Sequence, residues 1–142
     1  NINAAFLDQK TGLFRDIAVD VYESEVLLTG SVKEPEVKRL ASTLVAAIPD
    51  VRTVLNEIQV SEGNGIRETS EDITLETKIK SALRRASGVH SVNMRWRSVG
   101  GIVYLFGRAL SKAEQDTAIA TINGIKGVKR LVNVQKIVPP ED

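Results

Sequence analysis

The sequence contains no cysteine, so disulfide bridges, thiolate nucleophiles and cysteine-based zinc sites are all excluded. Its one histidine, His90, has no carboxylate motif beside it that would indicate an acid–base pair. No serine lies in a nucleophile-elbow pattern, and no glycine-rich loop has the spacing of a phosphate cradle. We therefore expect a protein that is not an enzyme, with no catalytic residue, metal site or cofactor.

Long apolar runs are also missing: none approaches the roughly 18 residues that a membrane-spanning helix needs. Asn1 leads straight into the apolar stretch 2–7 without the basic start of a signal peptide. We expect the chain to be a mature fragment or part of a longer protein.

What the sequence does contain is an uneven distribution of charge. Residues 1–68 hold seven Lys and Arg against 11 Asp and Glu, and residues 69–142 hold 12 against seven. An anionic partner would therefore prefer the second half.

An internal repeat organises the chain. When residues 26–60 are shifted by 77 positions without a gap, seven of the 35 pairs are identical. About two would be expected from average residue usage. The identical pairs are Val26/Val103, Leu28/Leu105, Gly30/Gly107, Ala41/Ala118, Ile48/Ile125, Val51/Val128 and Asn56/Asn133. Since they fall on an apolar run, a turn glycine and one face of a helical pattern, they indicate a duplication.

Each copy has the pattern of a β-hairpin, a helix and a further strand. In the first copy, alternating apolar residues at 17–21 and the run 26–30 predict the hairpin, 35–48 the helix and 51–60 the last strand. In the second copy, the alternation of Val92, Met94 and Trp96 and the run 102–107 predict the hairpin. There, Ser111 and Glu114 predict a capping box at the start of the helix, and 128–138 the last strand.

A further helix at about 72–86 precedes the second copy, and its counterpart in the first copy is expected as a truncated helix at about 2–7. The sequence thus predicts an α+β protein of two αββαβ modules, each a three-stranded mixed sheet with two helices on one face. We place module 1 at 1–61, a linker at 62–70, module 2 at 71–138 and a C-terminal tail at 139–142.

The two copies resemble the bacterial BON domain. The resemblance rests on the strand Val26–Gly30, the helix residue Ala41 and the strand Val51–Asn56, together with Val103–Gly107 and Gly127–Asn133 in the second copy. It implies similarity to tandem-BON lipoproteins of the periplasm and outer membrane, which are associated with envelope integrity and osmotic stress. The suggested activity of such proteins is binding to anionic phospholipid. A lipoprotein needs an acylated cysteine, so the resemblance implies an anchor outside this chain.

The helix at 72–86 is the sharpest candidate for such binding. Ile73, Thr77, Lys80 and Arg84 lie on the side opposite its apolar stripe. An exposed isoleucine beside two cations would suit an anionic lipid surface, with the apolar tip among acyl chains and the cations at phosphates. The alternative is a solvated charged face with one stray apolar residue.

A second candidate is the outer sheet face of module 2, where Tyr104, Phe106, Val132 and Val134 are expected to point away from the helices. Two bare aromatic side chains on a one-sided sheet favour docking on the other module, a terminal segment or an envelope protein. The competing hypothesis for function is therefore a protein–protein scaffold in which lipid contact is incidental. The sequence leaves the oligomeric state open.

One motif points to nucleic acid. Residues 124–127 match the GxxG loop of the KH module, but that loop joins two helices, whereas here it is expected to join a helix to a strand. We expect no nucleic-acid partner.

Overall fold

The computed structural model of the chain describes residues 16–61 and 68–139. The chain divides into two compact units, residues 1–67, which contain module 1, and residues 68–142, which contain module 2. The truncated helix predicted at about 2–7 lies outside the described residues.

The described part of module 1 contains a hairpin, one helix and two short strands: β1 (Ile17–Tyr22), β2 (Glu25–Val32), α1 (Pro35–Ala46), β3 (Thr53–Asn56) and β4 (Gln59–Val60). Module 2 has the same order after an additional helix. Its elements are α2 (Ser70–Arg85), β5 (Met94–Val99), β6 (Ile102–Ala109), α3 (Lys112–Asn123), β7 (Arg130–Asn133) and β8 (Lys136–Ile137). The predicted α+β class and the repeated module are confirmed.

The duplication extends to the register of the strands. In module 1, β1 pairs antiparallel with β2, and Ile17 lies opposite Gly30. In module 2, β5 and β6 pair in the same way, and Met94 lies opposite Gly107, so both partners are shifted by the same 77 residues. The parallel pairs β2–β3 and β6–β7 also correspond residue for residue. The offset found in the sequence is therefore the structural repeat.

The last strand of each module is interrupted, whereas the sequence predicted one strand over 51–60 and one over 128–138. Asn56 accepts a hydrogen bond from the backbone of Ile58 at 3.2 Å, and Asn133 accepts one from the backbone of Gln135 at 3.1 Å. Each asparagine side chain replaces the neighbouring strand as the partner of one backbone N–H, a local turn typical of asparagine. The strand then resumes as β4 or β8 beside the same neighbour, β2 or β6.

In module 2, both helices cover one face of the sheet. The core of the module joins Leu75, Ile79 and Leu83 of α2 to Ala118 and Ile122 of α3 and to four buried residues of the hairpin. Those four are Met94, Val103, Leu105 and Ala109. Trp96 packs against this cluster, as the alternation predicted, and its indole N–H donates to the carbonyl oxygen of Glu76 at 3.0 Å.

The glycine that the two repeats share lies inside a strand, β2 or β6, and not at a turn as the sequence predicted. Gly107 has a φ of +90°, and a β-carbon there would lie 2.6 Å from the carbonyl oxygen of Asn93. Gly30 has a φ of +109°, and a β-carbon there would collide with the carbonyl of Asp16. The two positions therefore have the same surroundings, namely the backbone at the start of the neighbouring strand, and only glycine fits both the dihedral angle and the space.

Three local predictions need correction. Val92 is not part of β5 but lies in a 3-10 turn, Ser91–Asn93, and is 76% exposed. Helix α1, predicted over 35–48, ends at Ala46; its buried residues are Val37, Ala41 and Val45, and Leu40, predicted to face the core, is 38% exposed. Helix α2 begins at Ser70, two residues before the predicted start.

Candidate functional site

The start of α2 is fixed by a capping box. Thr69 is the N-cap, and its hydroxyl oxygen accepts a hydrogen bond from the backbone N–H of Asp72 at 3.2 Å. In return, the backbone N–H of Thr69 donates to a carboxylate oxygen of Asp72 at 2.8 Å. Two N–H groups that the first helical turn leaves without partners are thereby satisfied. The box therefore fixes the residue at which α2 begins.

Asp72 also ties the helix to the β5–β6 hairpin. Its carboxylate accepts hydrogen bonds from the Ser98 hydroxyl at 2.6 Å and from the backbone N–H groups of Gly100 and Gly101 at 2.8 and 2.9 Å. The residue is 2% exposed. Burial by itself raises the pKa of Asp72, but these hydrogen bonds to its charged form hold that pKa below the usual value. A saturated buried carboxylate thus sets the position of α2 on the sheet.

Glu76, one helical turn further along, has the opposite behaviour. Its carboxylate accepts a hydrogen bond from the backbone N–H of Ser98 at 2.8 Å. Burial, and then the neighbouring carboxyl of Glu68, raise the pKa of Glu76 to about 7. Glu68 itself forms an ion pair with Arg97 at 2.8 Å. The carboxyl group of Glu76 therefore gains or loses its proton near neutral pH.

The four residues predicted to meet lipid are all exposed on α2. Ile73 exposes 56% of its surface, and Thr77, Lys80 and Arg84 are exposed as well. Within residues 16–61 and 68–139, neither Lys80 nor Arg84 forms an ion pair. Thr77 donates its hydroxyl to the carbonyl of Ile73 at 3.1 Å, so the hydroxyl is held against the helix. Lipid binding by these residues remains a prediction.

The outermost row of α2 differs from the predicted one. The side directly opposite the buried row of Asp72, Leu75, Ile79 and Leu83 carries only small polar side chains. These are Ser70, Thr74, Thr77 and Ser81, which we call the Ser/Thr row. At about 100° per residue, Ile73, Lys80 and Arg84 lie roughly 50–90° to one side of the middle of this row. Lys78 and Arg85 flank the row on its other side, so cations border the row along both edges.

The second predicted surface is buried. Tyr104 and Phe106 expose 2% and 1% of their surface, although neither belongs to the core cluster beneath the helices. Val132 and Val134 are half-buried. The two aromatic side chains are therefore not available to an external partner in this conformation. Their assignment to an inter-module or partner face remains a prediction.

Sequence reasoning missed the partner of His90. Its ring Nδ1 lies 2.6 Å from a carboxylate oxygen of Glu114, and its backbone N–H donates to the same oxygen at 2.6 Å. The other carboxylate oxygen of Glu114 accepts from the backbone of Leu110 at 2.6 Å. The Glu114 carboxylate thus binds backbone N–H groups of two loops and does not close the reciprocal box predicted with Ser111. The other half of that box is present, since the Ser111 hydroxyl oxygen accepts a hydrogen bond from the backbone N–H of Glu114 at 3.1 Å. The pair lies 24 residues apart, a distance at which no local pattern indicates contact.

The glycines of the GxxG sequence serve as a turn between a helix and a strand. Gly124 follows the last residue of α3, and Gly127 has a φ of +108° just before β7. In the two described stretches, no group of three or more acidic, histidine or cysteine side chains is arranged to hold a metal ion. No helix among the same residues has the length and apolar character needed to cross a membrane.

Comparison with known proteins assigns the fold to a family. The family model of the BON domain matches residues 1–62 and again residues 71–139. The chain belongs to the BON-domain family. The two matched segments correspond to the two copies of the repeat, so the resemblance seen in the sequence is confirmed.

Curated relatives of this BON protein include three bacterial chains. One is a protein of Anaplasma centrale that is named for its position in the 5' region of gshII. It is 34% identical over 127 residues, which cover 89% of this chain and 84% of the relative. A 21 kDa hemolysin of Actinobacillus pleuropneumoniae is 31% identical over 83% of this chain. The outer membrane lipoprotein DolP of Haemophilus influenzae is 30% identical over 81% of this chain. The matches span 60% and 59% of the length of the latter two relatives.

Proposed function

We propose that this BON protein is a non-enzymatic envelope protein whose module 2 binds the surface of an anionic phospholipid membrane through α2. It acts at the periplasmic side of the outer membrane and supports the integrity of that membrane. The anchor implied by the lipoprotein resemblance would lie outside this chain. The names of two relatives, an outer membrane lipoprotein and a hemolysin, support a place at a membrane.

The observation that carries the proposal is the exposed side of α2. Ile73 is 56% exposed and stands beside Lys80 and Arg84, which have no ion-pair partner among the described residues. Buried apolar area and attraction to anionic lipid are the two terms that hold an amphipathic helix at an interface. Each cation near an anionic leaflet contributes about 1 kcal/mol. With the Ser/Thr row facing the headgroups, the cations on its two edges reach the phosphates.

The position of α2 on the sheet supports the proposal as well. Asp72 and the capping box fix the start of the helix, and Leu75, Ile79 and Leu83 fix its inner side. The exposed side is therefore presented by a rigid element, so little conformational entropy is lost on binding.

Vesicle sedimentation tests the proposal. The protein is expected to sediment with phosphatidylglycerol vesicles at low salt, to remain in solution with phosphatidylcholine vesicles, and to be released as salt is raised. The variant Lys80→Glu with Arg84→Glu should lose the interaction. The matched control Lys33→Glu with Arg52→Glu makes the same change in charge at exposed positions of module 1 and should sediment like the wild type. Equal recovery of the α2 variant and the wild type would refute the proposal.

A further inference from the structure

Module 2 contains an open groove beside α2, on the edge of the Ser/Thr row opposite Lys80 and Arg84. Three segments border it: the N-terminal half of α2, the β5–β6 turn at Gly100 and Gly101, and the turn that leads from α3 to β7. Its volume is about 800 Å³. Pockets that bind small molecules and cofactors have volumes of roughly 300–1,000 Å³, so the groove has room for a lipid headgroup.

Glycine backbones shape the walls of this groove. The backbone N–H of Lys129 donates to the carbonyl of Gly101 at 2.9 Å, which joins the two turns. A β-carbon at Gly101 would lie 2.9 Å from methylene carbons of Lys129, so the lysine side chain runs directly against this glycine. A β-carbon at Gly127 would lie 3.8 Å from a methyl group of Leu75, which is 5% exposed. The groove thus combines apolar contacts with lysine side chains at its border.

The charges that line the groove favour an anion. Lys78, Lys126 and Lys129 line it, and none of them forms an ion pair with a residue in 16–61 or 68–139. Two carboxylates also line it, but that of Asp72 is buried and saturated by hydrogen bonds from Thr69, Ser98 and the two glycines. Glu71 is the one acidic side chain that remains exposed there, so three cations face a single uncompensated carboxylate.

We propose that this groove receives the phosphate of an anionic phospholipid headgroup, held by Lys78, Lys126 and Lys129. The inference rests on the proposed function and deepens it. Lys78 lies on one edge of the Ser/Thr row, and Lys80 and Arg84 lie on the other. A membrane that meets this row would therefore bring phosphates to both edges at once. Lys80 and Arg84 would attract the membrane surface, and the groove on the other edge would bind one headgroup of that membrane.

Amide chemical shifts of the full chain test the groove directly. Dihexanoyl-phosphatidylglycerol, kept below its micelle concentration, is expected to shift the amide resonances of Gly100, Gly101 and Gly127. The variant Lys126→Gln with Lys129→Gln should weaken the apparent affinity at least fivefold. The matched control Lys33→Gln with Arg52→Gln should leave it unchanged. The same spectra report whether each variant is folded.

Two results would refute the proposal that the groove binds a lipid headgroup. One is a titration in which the glycine amides do not move, or move equally in the double lysine variant and in the control. The other is a titration with inorganic phosphate that gives the same shifts at the same affinity, which would indicate a site for soluble anions. These failures are separate from failure of the proposed function. If vesicle sedimentation of the wild type is lost only in the Lys80→Glu, Arg84→Glu variant while the glycines do not shift, the membrane surface stands and the groove is wrong.

Discussion

The hydroxyl of Ser98 donates a hydrogen bond to the carboxylate of Asp72 at 2.6 Å, across 26 residues of sequence. Ser98 lies in strand β5 and Asp72 lies in the first turn of α2, so this bond joins the helix proposed to meet the membrane to the sheet that supports it. Both residues are buried. The orientation of the exposed side of α2 therefore depends on a polar contact as well as on its apolar stripe.

Replacing Asp72 by asparagine should destabilise module 2 by about 2–3 kcal/mol, because an amide cannot accept all the hydrogen bonds made by the buried carboxylate. Urea unfolding followed by fluorescence measures this change, since Trp96 is the only tryptophan and lies in module 2. Glu71→Gln, at the exposed neighbouring position, is the control and should leave the unfolding free energy nearly unchanged. Equal effects of the two substitutions would show that Asp72 does not hold the helix.

Glu76 should make the protein less stable as the solution becomes more alkaline. The folded-state pKa is raised from 4.5 to about 7, so the folded protein holds this proton more tightly than the unfolded chain. The contribution of Glu76 to stability therefore falls as pH rises from 4.5 to about 7 and stays low above that. Glu76→Gln keeps an oxygen for the Ser98 N–H, and it should stabilise the protein by about 1 kcal/mol at pH 8 after allowance for solvent screening. At pH 5 the same substitution should have little effect, and a gain of equal size at both pH values would contradict the account.

Asp72 and Glu114 should make the protein less stable as the solution becomes more acidic. Hydrogen bonds hold the pKa values of Asp72 and Glu114 below their ordinary values despite the opposing effect of burial. Their contribution is present above the ordinary values of 3.8 and 4.5 and is lost as pH falls through the lowered folded-state values. The midpoint temperature of thermal unfolding of the wild type should therefore fall as the pH is lowered from 5 to 2. In Asp72→Asn the fall should be shallower, and an unchanged slope would exclude Asp72 as its source.

His90 and Glu114 should contribute unequally to stability. Truncation of Glu114 to alanine removes the acceptor for three hydrogen-bond donors and should cost about 2 kcal/mol or more. His90→Ala keeps the backbone N–H that donates to the same oxygen, and its side chain is 60% exposed, so it should cost less than about 1 kcal/mol. Urea unfolding of the two variants gives the comparison. A larger loss in His90→Ala would mean that the ring contact outweighs the backbone caps.

Gly107→Ala should destabilise module 2 far more than Gly88→Ala, although both glycines have positive φ angles. A β-carbon at Gly107 would lie 2.6 Å from the carbonyl oxygen of Asn93, whereas one at Gly88 would meet no atom within 4 Å. The strained dihedral angle alone costs about 1 kcal/mol, and the collision with backbone should add at least as much again at Gly107. Thermal unfolding of both variants separates the two causes. Similar losses would show that the hairpin yields to accommodate the methyl group.

Much of the fold could be predicted from the sequence because it depends on local periodicity. The shift by 77 residues, the hairpins and the apolar sides of α1 and α2 all follow from patterns within a few residues of one another. Local patterns also have limits. Val92 continues the alternation of Met94 and Trp96, yet it lies in a 3-10 turn, since alternation alone does not distinguish the two conformations.

The candidate site was harder to predict, for a physical reason. The exposed residues of α2 were found by placing them opposite its apolar stripe, but Asp72 is buried and Glu76 is half-buried. Burial of polar side chains leaves no mark in hydrophobic periodicity, so the outermost row is rotated from the predicted one. The groove was missed because the segments that form it, at 69–78, 100–101 and 126–129, are far apart in the sequence and meet through tertiary contacts such as the hydrogen bonds of Asp72 and Gly101.

A fluorescent label on α2 tests the membrane contact most directly. Because the chain has no cysteine, Ile73→Cys creates a single labelling site, and Val21→Cys, at a position of similar exposure in module 1, gives the matched control. With an environment-sensitive dye, the label at position 73 should shift to shorter wavelength and gain intensity on addition of phosphatidylglycerol vesicles. The label at position 21 should not change. No shift at position 73, or equal shifts at both positions, would contradict the proposal that α2 is the membrane-binding element.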